Sequence, residues 1–281
     1  MYYMRRTVMQ QILEFLDYKM KTPIAYESFS ESWFHYLFLV LMFLMMFFGV
    51  KYARKTTTRE LKKTLLLLGL LMIVLEIYKQ IIFTFEANAY QWYAFPFQFC
   101  STPMYLFVLY GLSKNERLEG HLLSFLATYG FFAGIAVMLY PSTVFVETIG
   151  INIQTMVHHG FMAIVGVSLL LSKVQFTFKT MKQAMTTFGV LVLSAIVLNG
   201  LFNLLINDGT FNMFFINSRF ENGLPVLSLI EPHVPHTLFV LIYFFGFSLV
   251  AYLMLLFGQA LSRLLSKHTK MDNHLKNDYT K

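Results

Sequence analysis

A thiol and two imidazoles are the groups in this 281-residue chain best able to do covalent chemistry. Cys100 is the only cysteine, and it lies in Phe95-Pro96-Phe97-Gln98-Phe99-Cys100-Ser101-Thr102-Pro103-Met104, between two of the seven prolines. The nucleophile would be the thiolate, whose unperturbed pKa of about 8.5 rises further on burial. An imidazole must therefore sit beside the sulfur if it is to react, and the adjacent pair His158-His159 offers one. Only one of two neighbouring helical residues can face a given point, because they diverge by about 100°. His159 is the expected partner, since Gly160 beside it should let a neighbouring helix or lipid come close. Proline is tolerated at a helix start, whereas a deeper one frees carbonyls that protein or water must satisfy. Cys100 is thus expected on an irregular helix start.

The elements that carry these residues are membrane helices. Residues are 57% hydrophobic and only 13% charged, about half the charge of a soluble domain of this size. Apolar runs of about 20 residues recur, long enough to cross roughly 30 Å of hydrocarbon. The expected fold class is all-α, a polytopic membrane protein with seven transmembrane helices at about 33–50, 64–85, 95–112, 121–140, 152–172, 184–206 and 236–261. Residues 1–31 form an N-terminal amphipathic segment, with Val8, Met9, Ile12, Leu13, Leu16 and Met20 at helical spacing, suited to the membrane surface. The transmembrane domain is read as 32–265 and a basic tail as 266–281; no cleavable signal peptide is read. One cysteine excludes an intrachain disulfide.

Loop charge sets the orientation. Lys51, Arg54, Lys55, Arg59, Lys62, Lys63, Lys114, Arg117, Lys173, Lys179, Lys182, Arg263 and Lys267 follow the odd-numbered spans. The loops after even spans hold only Arg219, beside Glu86, Glu147, Asp208, Glu221 and Glu231. By the positive-inside rule the N-terminus is outside and the C-terminus cytoplasmic. The net charge of +7 is then a topology signal, and no nucleic-acid partner is expected.

At about 1.5 Å per residue, the polar side chains fall at one depth. Cys100 and Gln98 lie one to two turns inside the outer end of span three, His158 and His159 at similar depth in span five, and Glu76, Lys79 and Gln80 in the outer half of span two. Asn199 and Asn203 lie near the outer end of span six, while His35 and His236 begin spans one and seven. Ionisable groups in a membrane are expensive and face a cavity or a partner, so the cluster reads as a site. Each member also has a plainer role. The thiol can pack as a small hydrophobe, the histidines and asparagines can bond between helices, and Glu76 can pair with Lys79 at i,i+3. The prolines in Glu231-Pro232-His233-Val234-Pro235-His236 spoil metal-ligand spacing, so neither metal nor cofactor is expected.

Several short stretches together resemble the YwaF-type family of bacterial integral membrane proteins, whose relatives include a vertebrate transmembrane acyltransferase acting on phospholipids. They are Phe29-Ser30 with His35, Leu75-Glu76, Phe95 to Cys100, His159-Gly160, Gly209-Thr210-Phe211-Asn212-Met213-Phe214, and Leu229 to His236. The resemblance implies a seven-helix membrane fold and a Cys–His mechanism carried by Cys100 with His159 or His158. Gln98 stands where the family usually has histidine, and His233 and His236 where it usually has aromatic residues.

The leading expectation is a lipid acyltransferase or transacylase of the cell membrane, acting on lipid at the outer leaflet. Such an enzyme needs a nucleophile, a base and oxyanion donors. Glu76 would orient the imidazole, while Asn203 and backbone N–H groups near Pro103 would bind the oxyanion. Gln98, Asn199, His35 and His236 would contact substrate. Two rivals use the same residues differently: a non-enzymatic binder or transporter of lipid or small solute, and a structural assembly partner. Transport is disfavoured because the break at Pro96/Pro103 has no counterpart in the other half of the chain.

Overall fold

A computed structural model describes the backbone of residues 7–206 and 208–278, and side chains as far as 265. The basic tail expected at 266–281 therefore lies outside the described side chains, and residues 1–6 of the N-terminal segment lie outside the described residues.

The helices in chain order are α1 (Val8–Leu16), α2 (Phe29–Lys55), α3 (Thr58–Ala87), α4 (Thr102–Leu112), α5 (Glu116–Phe125), α6 (Phe131–Leu139), α7 (Ile149–Ser172), α8 (Phe178–Leu205), α9 (Leu227–Ile230) and α10 (His236–Asp278). A π-helical turn, Leu126–Gly130, joins α5 to α6 as one rod. Local chemistry sets several ends. Thr57 and Glu60 form a capping box at the start of α3, and Asn88 closes it in the left-handed conformation. Asn115 and Thr177 cap α5 and α8. Arg54 and Lys55 meet the negative end of α2.

Among the described residues six helices are long and apolar enough to cross a membrane: α2, α3, the α5–α6 rod, α7, α8 and α10. The seventh expected span is different. Only Thr102–Leu112 of the stretch 95–112 is helical, and its 11 residues cover about 16 Å at 1.5 Å each. The cause is local: Pro96 pushes Phe95 into extended geometry (φ −48°, ψ 134°), and Pro103 fits only in the first turn of a helix. The stretch nevertheless runs back along α3. Gln80 Nε2 donates to the Ala94 carbonyl at one end and Lys62 Nζ to the Ser113 carbonyl at the other. Between them, Gly69 and Gly111 let the two backbones touch, since a Cβ at either would lie within 2.9 Å of a carbonyl oxygen of the other helix.

The most buried of the six is α7: 72% of its most apolar stretch is inside the protein, against 17% for α2. It packs on α6 through Gly134, where a Cβ would fall 2.5 Å from the Ala163 nitrogen and 2.7 Å from the His159 carbonyl. The expected close approach at Gly160 is not there. A Cβ at Gly160 would meet only Met138, at 3.9 Å; the tight contact behind the histidines is made by Gly134 instead.

Inter-helix contacts sort the ends of the bundle into two faces. At one, Lys62 bridges Glu119 (2.7 Å) and Lys173 donates to the Thr56 carbonyl (2.7 Å), which gathers the basic loops. At the other, Lys19 bonds Asp17, Glu86 and Thr148, and Tyr78 donates to the Leu16 carbonyl, which ties α1 across the ends of α3 and α7. The helix α1 leaves Val8, Ile12 and Phe15 exposed.

Candidate functional site

Cys100 lies in a turn just before α4 and is half-buried. The N–H groups of Ser101 and Thr102 both donate to the Gln98 carbonyl (2.8 and 3.1 Å), which shapes the turn. They are the N–H groups near Pro103 expected to serve an oxyanion, and they are already spent. Among the described residues, the N–H groups of Phe99 and Cys100 bond to no other residue. They precede the positive end of α4, where a developing negative charge is favoured.

Both histidines are buried on α7. His158 Nε2 lies 3.0 Å from the Cys100 carbonyl, and His159 Nδ1 lies 2.7 Å from the Thr155 carbonyl of its own helix. A carbonyl oxygen can only accept, so each of these nitrogens carries the proton. Each ring therefore keeps a lone pair on its other nitrogen, His158 Nδ1 and His159 Nε2, and both are buried without a partner among the described residues. The ring that reaches the thiol's residue is His158, rather than the expected His159.

Glu76 also behaves differently from expectation. Its Oε1 accepts from Lys79 and from Gln80, both at 2.8 Å, while its buried Oε2 has no partner among the described residues. Neither imidazole is bonded to it; both rings are oriented by backbone carbonyls. The i,i+3 pair with Lys79 is present.

The amides expected to contact substrate instead hold the chain between α8 and α9. Gln98 takes the Asn212 carbonyl and the Phe214 N–H, each at 3.0 Å. Asn199 takes the Met213 N–H (2.9 Å) and carbonyl (3.1 Å). Asn203 pairs amide to amide with Asn217 (3.0 and 3.1 Å) and receives Arg219. The clamped segment buries Phe211, Met213, Phe214 and Ile216 and packs the Phe214 ring, tilted, against Phe97 and Phe99, on either side of Gln98 and next to Cys100. Phe214 and Phe215 have φ of 59° and 57°, a conformation bulky residues adopt only when their surroundings impose it. The segment is a plug in one end of the bundle, and Asn203 is spent in holding it.

His35 is fully buried, bonded through Nε2 to the Met138 carbonyl (2.9 Å) and packed edge-on against Tyr26. It packs in the smaller apolar cluster around Phe34, Met138 and Phe145, and no contact joins it to Cys100. His236 is exposed at the start of α10. Among the described residues no group of three His, Cys, Asp or Glu is placed to hold a metal.

Sequence reasoning passed over Tyr243, which is fully buried with its hydroxyl unpartnered among the described residues. One tyrosine of sixteen, inside an apolar run, gives no sign of that. Asn212, Asn217 and Asn222 were also missed as a set, although the Asn-rich loop signals turn-forming side chains.

The profile described as the TMEM164 family, a transmembrane protein family, matches residues 28–259. No curated protein and no solved structure matches the chain. The matched span takes in every membrane-length helix as far as residue 259, together with Cys100, both histidines and the plug.

Proposed function

From the premise that this chain belongs to the TMEM164 family and is a multi-pass integral membrane protein, we propose that it is a Cys-dependent lipid acyltransferase of the cell membrane. The observation that carries the reading is His158, buried against the Cys100 carbonyl with His159 next to it, each ring pinned to a carbonyl by one nitrogen and left with an unpartnered lone pair at the other among the described residues.

In this mechanism a ring nitrogen, His158 Nδ1 or His159 Nε2, takes the thiol proton. The sulfur attacks the acyl carbonyl of a membrane lipid, and the N–H groups of Phe99 and Cys100 receive the oxyanion. Collapse breaks the bond to the leaving alcohol, which departs with the proton from the imidazolium and leaves an S-acyl cysteine. An acceptor hydroxyl then attacks the thioester, gives its proton to the same ring, and restores the thiol. Membrane lipid supplies both donor and acceptor, so no cofactor takes part. The plug shields the thioester from water.

The orientation belongs to the same proposal: seven crossings, with the irregular stretch and α4 making the third, the plug face outside and the basic face cytoplasmic. Loop charge supports it, as does the gathering of the basic loops on one face of the bundle.

The test is covalent. Membranes holding the full chain are treated with a lipid-like thiol electrophile and the adduct at Cys100 is quantified by mass spectrometry. Labelling should fall by about tenfold or more in His158→Ala, since a general base contributes roughly 10²–10⁴, and less in His159→Ala. Equal labelling in the parent and both histidine variants at matched expression would remove the mechanism and leave a binding site.

A further inference from the structure

The basic face carries a cleft that the thiol chemistry does not use. It has a volume of about 850 Å³ and lies between the start of α5, the α7–α8 loop and the first turns of α8. Its floor is polar and fixed. Ser124 donates to Gln183 Oε1 (3.3 Å), Thr187 donates to the His121 carbonyl (3.2 Å), and the His121 ring meets the Gln183 carbonyl (3.2 Å). Arg117, Lys173, Lys179 and Lys182 stand around it, with Glu116 the one carboxylate in the lining.

Four cations facing one acid would repel one another unless something compensated them. Among the described residues none of the four makes an ion pair, and Lys173 bonds only the Thr56 carbonyl. Glu119, three residues along α5 from Glu116, is occupied by its bridge with Lys62. The positive ends of α5 and α8 open toward the same space. A plain positive-inside surface needs the charges but not a concave polar floor on which four cations meet a single carboxylate.

We infer that this cleft binds a phosphate-bearing ligand. A phosphate accepts from several directions at once, which suits an arginine fork and separate lysine ammoniums. The group can arrive on an anionic phospholipid headgroup or on a soluble molecule, and the two sources are separable. The inference stands independently of the acyl-transfer reading.

The experiment compares two triple variants of the full chain with equal charge removed from the same face: Arg117→Gln/Lys179→Gln/Lys182→Gln in the cleft, and Lys51→Gln/Arg54→Gln/Lys55→Gln outside it. Native mass spectrometry measures retention of dioleoylphosphatidic acid against dioleoylphosphatidylcholine, and thermal unfolding measures stabilisation by inorganic pyrophosphate. The parent should prefer phosphatidic acid. At about 1 kcal/mol per basic residue near a charged lipid surface, the cleft variant should lose that preference by about tenfold or more, and the other variant by about twofold or less. A cleft-dependent shift with pyrophosphate but no lipid preference assigns the site to a soluble phosphate. Equal losses in the two variants would overturn the inference, as would a parent that shows neither preference nor shift.

Discussion

The carboxamide of Asn199 takes both the N–H and the carbonyl of Met213, at 2.9 and 3.1 Å, so that one side chain satisfies both main-chain groups of a residue as a neighbouring strand would. Gln98 does the same to the flanking groups of Asn212 and Phe214 from the other side. A loop entering an apolar bundle must bring its own partners or find them there. Here two amides from two different elements supply them. This is why the plug can sit over the Cys100 turn with Phe211, Met213 and Phe214 buried and with two phenylalanines held at positive φ.

Removing one of these amides should release the plug without unfolding the bundle. In Asn199→Ala the Met213 N–H is left buried and unpaired, at about 1–3 kcal/mol, and its carbonyl keeps only the long bond from the Ile216 N–H (3.4 Å). Hydrogen–deuterium exchange should speed up at residues 211–217 while exchange in α7 stays slow. Unchanged exchange at Met213 and Phe214 would mean that the clamp is not what holds the segment.

Helix existence was legible in the sequence because apolar length is a strong signal: all six membrane-length helices coincide with expected spans. Where the helix of the third expected span begins was misjudged, because hydropathy counts Phe95, Pro96 and Phe97 as apolar, whereas proline decides the backbone. The site was legible as a gathering of polar residues, since the His158 ring meets the Cys100 carbonyl while Gln98 and Asn199 meet one loop. Roles were not. Gln98, Asn199 and Asn203 look like substrate contacts until the partner loop is in place, and that pairing joins residues more than a hundred positions apart in the case of Gln98. Which imidazole reaches Cys100 depends on the rotation of α7, which Gly134 of α6 sets rather than the neighbouring Gly160.

Orientation can be read by labelling. In a Cys100→Ser background, Glu147→Cys and Glu221→Cys should react with a membrane-impermeant maleimide added outside intact cells. Lys114→Cys and Lys179→Cys should react only after permeabilisation. The opposite pattern would invert the bundle and put the thiol at the cytoplasmic leaflet.

The clasp between α1 and the ends of α3 and α7 should hold across neutral pH and open at both extremes. Burial alone would raise Asp17, but hydrogen bonds from Lys19 and its neighbours hold the carboxyl below its ordinary 3.8. Burial would lower Lys19, but Asp17 and Glu86 hold it above 10.5. The Asp17 contribution is present above the ordinary carboxylate value and is lost as pH falls through the depressed one. The Lys19 contribution is complete below 10.5 and is lost as pH rises past it. Protection factors at residues 17–20, with the intrinsic rate at each pH divided out, should therefore be flat from about pH 5 to about pH 9 and fall outside that range. Because Lys19 is half exposed, salt should narrow the plateau. A steep change near pH 6–7 would point to a histidine instead.

Two alanine substitutions one helix apart should differ in sign. Gly134 faces backbone, and a methyl there would fall 2.5 Å from the Ala163 nitrogen and 2.7 Å from the His159 carbonyl. Neither atom can move without shifting α7, so Gly134→Ala should destabilise the protein by about 1–3 kcal/mol, as overpacking does. It should also lower the reactivity of Cys100, because the turn it displaces carries both imidazoles. At Gly160 the same methyl would meet only the flexible end of Met138, at 3.9 Å, an ordinary contact. Alanine in a helix interior is favoured over glycine by about 1 kcal/mol, so Gly160→Ala should leave the melting temperature unchanged or raise it. Thermal unfolding of the two variants in the same detergent, with Cys100 labelling on each, decides the matter. A stable Gly134→Ala with parental labelling would show that the α6 contact does not set the rotation of α7.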